Sequence, residues 1–258
     1  MHDWNPELYR KFEVERTRPA RELLAQINAD EVSQVTDLGC GPGNSTELLV
    51  DSWPLALVTG IDTSEAMLAQ ARIRLPQCEF FNADIETWQP DVPQNVIYAN
   101  ASLQWLSEHS TLLPHLVKQL AAGGTLAIQM PDNLNEPSHQ LMRKVAEKAP
   151  WNSLISAHAA ERKQLLTSDD YYDLLTKAGC EVNIWRTTYY HVMSDAQAII
   201  TWLQATGLRP FLQPLNETQR DAFLKDYHEQ LSRAYPKRAD GQVLLAFPRL
   251  FIVAMKIR

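Results

Sequence analysis

A chain of 258 residues that is 45% apolar and 21% charged has the material for one large α/β domain with insertions, and it does not read as a disordered chain. A formal net charge of -7 argues against a face built to neutralise phosphates, so nucleic acid is not an expected partner. No apolar stretch approaches the ~20 residues of a membrane span, and no membrane partner is expected either.

The start, Met1 to Pro6, lacks a basic segment followed by an apolar run, so it does not read as a secretory signal. Cys40, Cys78 and Cys180 are far apart and form no metal or disulfide pattern, as expected of reduced thiols in a cytoplasmic protein. Near the N-terminus Thr17 can cap a helix with Leu23, Leu24 and Ile27 on one face and Pro19 in its first turn. Gln34 to Leu38 reads as a strand running into Gly39-Cys40-Gly41-Pro42-Gly43. Asn44 or Ser45 then caps a helix carrying Leu48, Leu49 and Trp53. The unit repeats with a strand from Leu57 to Ile61, followed by a helix that Ser64 caps and that carries Met67, Leu68, Ala71 and Leu75.

Further strands are expected at Glu79 to Asn82, Asn95 to Ala99 and Thr125 to Met130. The helix of Leu112, Leu113, Leu116 and Leu120 stops at Gly123-Gly124. Residues 132 to 168 contain helical fragments and no clear strand. Ser168 to Ala178 is a helix closed by Gly179, and Glu181 to His191 is a sixth strand. Residues 194 to 240 are helical again, with a capping box at Asn216 and Gln219. Val243 to Met255 closes the chain as a buried strand. Without a helix-length crossover, it pairs antiparallel with the sixth. The expected architecture is a single α/β domain over residues 1 to 258, seven-stranded and mostly parallel, with helical insertions at 132 to 168 and 194 to 240.

The chain has nine glycines, and three of them fall at alternate positions in the first β-α turn, where residues without Cβ permit a sharp bend and let a ligand touch backbone. The dinucleotide fingerprint would need a third glycine or alanine where Asn44 stands, whereas the pattern D-x-G-x-G-x-G from Asp37 through Gly39, Gly41 and Gly43 is complete. Asp62 ends the second strand, where a carboxylate can accept both ribose hydroxyls. Asp84 follows the third strand and can accept from an adenine amino group, and Asn100 follows the fourth. Taken singly, each aspartate reads as a turn or cap residue; as an ordered set with the glycine loop they read as a cofactor site.

Val35 to Asn44, Gly60-Ile61-Asp62 and Ala83-Asp84-Ile85 resemble a class I S-adenosylmethionine-dependent methyltransferase of Rossmann-like fold. The resemblance implies S-adenosylmethionine as cofactor, held by Asp37, Gly39, Gly41, Gly43, Asn44, Asp62, Asp84, Ile85 and Asn100. It narrows on Asp3 to Pro6, Ala99 to Trp105, Gln129 to Asn133, Trp185 to His191, Thr206 to Pro210 and Leu245 to Phe251. These segments are similar to the trans-aconitate methyltransferase family along nearly the whole chain. What this implies is methyl esterification of a small tricarboxylate by a cytoplasmic enzyme, a monomer or weak homodimer.

Such an acceptor is already ionised at neutral pH, so no general base is expected. Its remaining carboxylates need planar, forked donors, for which Arg209, Arg249 and Arg186 are the candidates, with hydroxyls from Tyr189 and Tyr190 and closure by Trp105. The bland alternatives are snorkelling, surface pairing and sheet packing. His191 reads as a sheet-end histidine. The seven histidines show no metal spacing, so no metal is expected. Residues 1 to 30, with Arg10, Lys11, Arg16, Arg18 and Arg21 around Tyr9 and Phe12, read as a helical lid. The competing readings are a methyltransferase acting on another small carboxylic acid or a neutral metabolite, a nucleotide-dependent dehydrogenase and a non-catalytic binding module.

Overall fold

In a computed structural model, residues 13–29, 31–155, 163–204 and 206–257 are described; for residues 13–16 only the backbone is. The expectations placed on Asp3 to Pro6, Tyr9, Arg10, Lys11 and Phe12 lie outside these residues, as does the side chain of Arg16. The chain divides into two compact units, one within Met1–Pro131, Leu165–Thr187 and Leu250–Arg258, the other within Asp132–Gln164 and Thr188–Arg249. The inserted segments read from the sequence fall mostly in the second.

Among the described residues the first unit runs helix α1 (Glu13–Leu24), β1 (Gln34–Leu38), α2 (Asn44–Ser52), β2 (Leu57–Asp62), α3 (Glu65–Arg74), β3 (Glu79–Asn82), β4 (Gln94–Asn100), a short 3-10 turn (Leu103–Trp105), α4 (His109–Lys118) and β5 (Leu120–Pro131). Helix α7 (Ser168–Lys177) belongs to it. So do the start of β6 (Cys180–Met193) and the end of β7 (Val243–Lys256). The seven strands run in the order β3-β2-β1-β4-β5-β7-β6.

β1 through β5 pair in parallel, with Leu38 beside Ile61, Asp62 beside Asn82 and Asn100 beside Gln129. This register brings the carboxyl ends of four strands to one edge. There the strand order reverses around β1, the place where open α/β sheets take ligands. The last strand runs antiparallel. Its end meets the starts of two strands: Lys256 Nζ donates to Leu120 O at 2.8 Å and Ile257 N to Gly179 O at 2.9 Å. The parallel strands carry near-continuous apolar runs because helices cover both faces: Leu38, Ile97, Ala99, Leu126 and Ile128 are fully buried, with Leu113 and Leu116 of α4 in the same core.

Three local expectations change. Gly123-Gly124 does not stop α4, which ends at Lys118; the pair lies inside β5, where the register against β4 slips between Gln94 and Val96. A Cβ on Gly124 would stand 2.7 Å from Gln94 O, and Gly123 has φ 75°, so both glycines serve a bulge. Thr17 and Pro19 sit inside α1, which starts earlier than its sequence suggests. The N-cap of α2 is Gly43 rather than Asn44 or Ser45. At α7, Thr167 caps, accepting from Asp170 N while Asp170 accepts from Thr167 N.

The second unit holds α5 (Pro137–Ala146), α6 (Trp151–Leu154), α8 (Ala196–Gln204), α9 (Arg209–Leu212) and α10 (Glu217–Ala234). The capping box at Asn216 and Gln219 opens α10 as its sequence indicates. Phe223, Tyr227 and Leu231 then form a fully buried stripe at helical spacing, each side chain contributing ~1.5–3 kcal/mol by burial. Tyr227 Oη donates to Ser138 O at 2.8 Å and Ser138 N donates to Tyr235 Oη at 3.0 Å, so the start of α5 is tied to the buried side of α10.

Candidate functional site

β1 delivers the chain into a turn in which Gly39, Gly41 and Gly43 all have positive φ, at 71°, 55° and 89°. Gly39 N and Cys40 N both donate to Ile61 O, at 2.8 and 3.0 Å, which fastens the turn to the end of β2. A Cβ on Gly39 would lie 2.4 Å from Ser102 Cβ, so both the conformation and the close approach require glycine there. Gly43 then starts α2.

Asp62 is held by two backbone donors: Gly41 N reaches Oδ2 and Ser64 N reaches Oδ1, each at 2.9 Å. A carboxylate fixed in this way at a strand end suits a ribose diol. Asp84 accepts from Glu86 N at 2.9 Å and is otherwise exposed. Both aspartates therefore shape their own turns and also border a cavity. Asp37 lies behind the turn, fully buried, accepting at Oδ2 from Ser45 Oγ and Thr46 Oγ1, both at 2.7 Å. Burial pushes its carboxyl up from 3.8 to about 6; the two hydroxyls oppose the shift and the nearby charge of Asp62 adds to it.

The cavity has a volume of about 380 Å³, in the range of small-molecule sites. Of the residues expected from sequence to hold a cofactor, Gly39, Gly41, Asn44, Asp62, Asp84, Ile85 and Asn100 line it, and so does Trp105, which was assigned to the acceptor. Asp37 and Gly43 stand outside the lining and support it from behind. Sequence reasoning missed Thr17 and Ala20 of α1, Thr63, Met67 and Ser102. The wall formed by α1 rests on a tertiary hydrogen bond, Tyr98 Oη to Ala20 O at 2.6 Å, which no local pattern announces.

The segment after β4 is held from several sides. Ala101, in the left-handed region at φ 55°, donates its N–H to Gln129 O at 2.8 Å, and Gln104 Nε2 donates to Ala101 O at 2.6 Å. His109, buried beneath the following turn, contacts Leu103 O at 2.8 Å through Nε2 and Tyr171 Oη at 2.6 Å through Nδ1. Since a carbonyl only accepts, Nε2 is the donor to Leu103 O. Asn100 Oδ1 and Ser102 Oγ are buried and meet no hydrogen-bonding partner within the protein, an arrangement that a ligand would satisfy. Those two atoms, the carboxylate of Asp62 and the apolar Met67, Ala83 and Ile85 together fit a cofactor with a base, a ribose and a polar tail.

The residues expected to clamp an acceptor divide sharply by environment. Arg186, in the first unit, is exposed and its Nη1 donates to Ser168 Oγ at 2.6 Å. Tyr190 is 65% exposed. In the second unit Arg249 is only 4% exposed, its guanidinium 4.8 Å from the Phe247 ring and 5.9 Å from the Tyr189 ring. His191 lies tilted against Trp202 at 4.6 Å and stacks on Tyr189 at 6.4 Å, in the same aromatic group. Arg209 is half-buried at the start of α9. Among the described residues no group of three or more His, Cys, Asp or Glu could hold a metal ion, and no helix is long and apolar enough to cross a membrane.

Comparison with known proteins places these features in a family. Residues 35–124 match the model of a methyltransferase domain. The trans-aconitate 2-methyltransferase of Yersinia pestis strain Pestoides F is 58% identical over 254 residues, covering 98% of both chains. The Klebsiella pneumoniae strain 342 protein of the same name is 59% identical over 257 residues, covering 100% of this chain and 99% of its own. Phosphoethanolamine N-methyltransferase 2 of Haemonchus contortus, solved with phosphomonomethylethanolamine and S-adenosylhomocysteine, superposes with a TM-score of 0.56 at 15% identity. The match covers 93% of this chain and 53% of that one, and it shows a shared fold.

Proposed function

Since the chain belongs to the family of trans-aconitate 2-methyltransferases, we propose that it transfers a methyl group from S-adenosylmethionine to one carboxylate of trans-aconitate, giving the monomethyl ester and S-adenosylhomocysteine. The observation that carries this reading is identity of 58–59% over essentially the whole length of such enzymes, acceptor-side segments included. The cavity at the strand ends supports it, with Asp62 set for the ribose, Asp84 and Ile85 for the base, and the glycine turn for the remainder.

The bound cofactor supplies an electrophilic methyl group that an ionised carboxylate takes without help from a base. The chain's task is therefore to bind, orient and exclude water. Cys40, at the cavity wall, takes no part as a nucleophile: burial, then Asp37 and Asp62, hold its thiol far above the ordinary range. For the acceptor's other carboxylates we assign Arg249 and Arg209, with Tyr189 as a hydroxyl donor. Arg249 leads because a guanidinium framed by rings in a dry setting binds a carboxylate more strongly than an exposed one. Trp105, 40% exposed and lining the cavity, is the group we assign to shielding the methyl from water. The same reading makes the enzyme cytoplasmic and a monomer or weak homodimer, in keeping with three free cysteines.

The test is a product analysis. Methyl-labelled S-adenosylmethionine and trans-aconitate should yield a base-labile labelled ester seen by mass spectrometry. Absence of transfer to trans-aconitate and to every other tricarboxylate tried would overturn the acceptor assignment.

A further inference from the structure

Two neighbouring residues in the middle of the sheet carry polar groups where the strands are otherwise apolar. Asp37 of β1 stands beside Tyr98 of β4 in the parallel register, and residues paired in this way present their side chains to one face. Leu38, Ile97 and Ala99, one step along their strands, pack with Leu113 and Leu116 of α4 on the other face. Asp37 and Tyr98 are both fully buried, and each directs its polar group to a different helix of the cavity wall. Asp37 accepts from Ser45 and Thr46 at the start of α2, where Ser45 lines the cavity. Tyr98 Oη donates to Ala20 O of α1 at 2.6 Å, and Ala20 lines the cavity with Thr17.

The two helices differ in what else seats them. α2 follows directly from the glycine turn, so the chain itself sets its place. α1 is separated from β1 by residues 25–33 and needs a tertiary tie. Burial of Ala20 and Leu23 draws α1 onto the sheet, but the hydrophobic effect has no direction and does not fix the helix along its axis. A hydrogen bond to one carbonyl does. Burial, with the charge of Asp37 added, holds the Tyr98 phenol well above its ordinary range, so it remains a donor. We propose that Tyr98 is a positioning residue whose hydroxyl fixes α1 as a wall of the cavity and thereby sets how long the cofactor stays bound. The assignment rests on the cofactor reading given above. Tyr98 does not line the cavity, so its effect passes through Ala20 and Thr17.

Tyr98→Phe keeps the buried ring and removes only the hydroxyl. Surface plasmon resonance should show S-adenosylhomocysteine leaving this variant roughly fivefold faster than wild type. In the ligand-free protein, amide hydrogen exchange of residues 17–24 should rise by a similar factor, because α1 opens locally more often. Thr36→Val is the control for a merely structural loss. Thr36 Oγ1 donates to Gln94 Oε1 at 2.8 Å, a buried bond between two strands rather than to a helix. That variant should lower the unfolding temperature yet keep cofactor release and exchange of residues 17–24 within about twofold of wild type. Unchanged release or unchanged exchange in Tyr98→Phe, or equal acceleration in Thr36→Val, would overturn the assignment. Wild-type protein that does not bind S-adenosylhomocysteine, with exchange of residues 17–24 still raised in Tyr98→Phe, would instead overturn the cofactor reading.

Discussion

The cavity at the strand ends and the arginine-aromatic group of the second unit are built on opposite plans. The cavity is made of backbone: three glycines with positive φ, N–H groups fixing Asp62, and buried oxygens on Asn100 and Ser102 that the protein leaves unsatisfied. The other region is made of side chains packed on one another, with Arg249 framed by Phe247 and Tyr189, and His191 packed against Trp202. A site made from backbone leaves regular marks in sequence because only glycine and short polar residues serve there. A site made from packed side chains does not, since arginine, tyrosine and tryptophan occur as readily in an ordinary core.

The largest expected effect is on the backbone plan. Gly39→Ala forces a Cβ to within 2.4 Å of Ser102 Cβ at a φ of 71°. It should lower stability by about 2 kcal/mol and S-adenosylhomocysteine affinity by roughly a hundredfold. Unchanged affinity by calorimetry would show that the turn is not where the cofactor binds. Arg249→Met tests the side-chain plan. Steady-state kinetics should give an acceptor KM raised about tenfold to hundredfold with cofactor affinity unaltered. A loss of thermal stability with KM unmoved would return Arg249 to the core.

Asp37 supports the cavity from behind at a cost that pH reveals. Its folded pKa of about 6 lies above the ordinary 3.8, so the native state binds the extra proton between those values and stability falls as pH rises from about 4 to 6. The penalty of keeping it ionised at neutral pH is about 3 kcal/mol. Asp37→Asn, which removes the charge, should flatten that pH segment in denaturant unfolding; a parallel pair of curves for variant and wild type would refute it. The smallest effects belong to Arg186→Ala and Tyr190→Phe, both exposed. Each should change acceptor KM less than about twofold and stability by no more than about 0.5 kcal/mol. A tenfold change in either would move acceptor binding to that face of β6.

The same contrast explains what could be read in advance. Strands β1 to β4 announced themselves as short apolar runs ending in Asp62 or before Asp84 and Asn100, and the parallel register then aligned those polar ends. The wall formed by Thr17 and Ala20 was not legible, because it depends on Tyr98 reaching a carbonyl 78 residues away. Ser102 was not legible either: a single serine two residues after an asparagine carries no period, and its place in the cavity wall emerges only from its packing against Gly39. Gly123-Gly124 misled because the same dipeptide that ends a helix also relieves a bulge beside Gln94.

That the strand-end array selects S-adenosylmethionine rather than a dinucleotide is tested most directly by titrating the wild-type protein with S-adenosylhomocysteine and, separately, with NADH. A saturable S-adenosylhomocysteine isotherm, lost in Gly39→Ala, with no binding of NADH is the expected result; saturable NADH binding without a response to S-adenosylhomocysteine would contradict it.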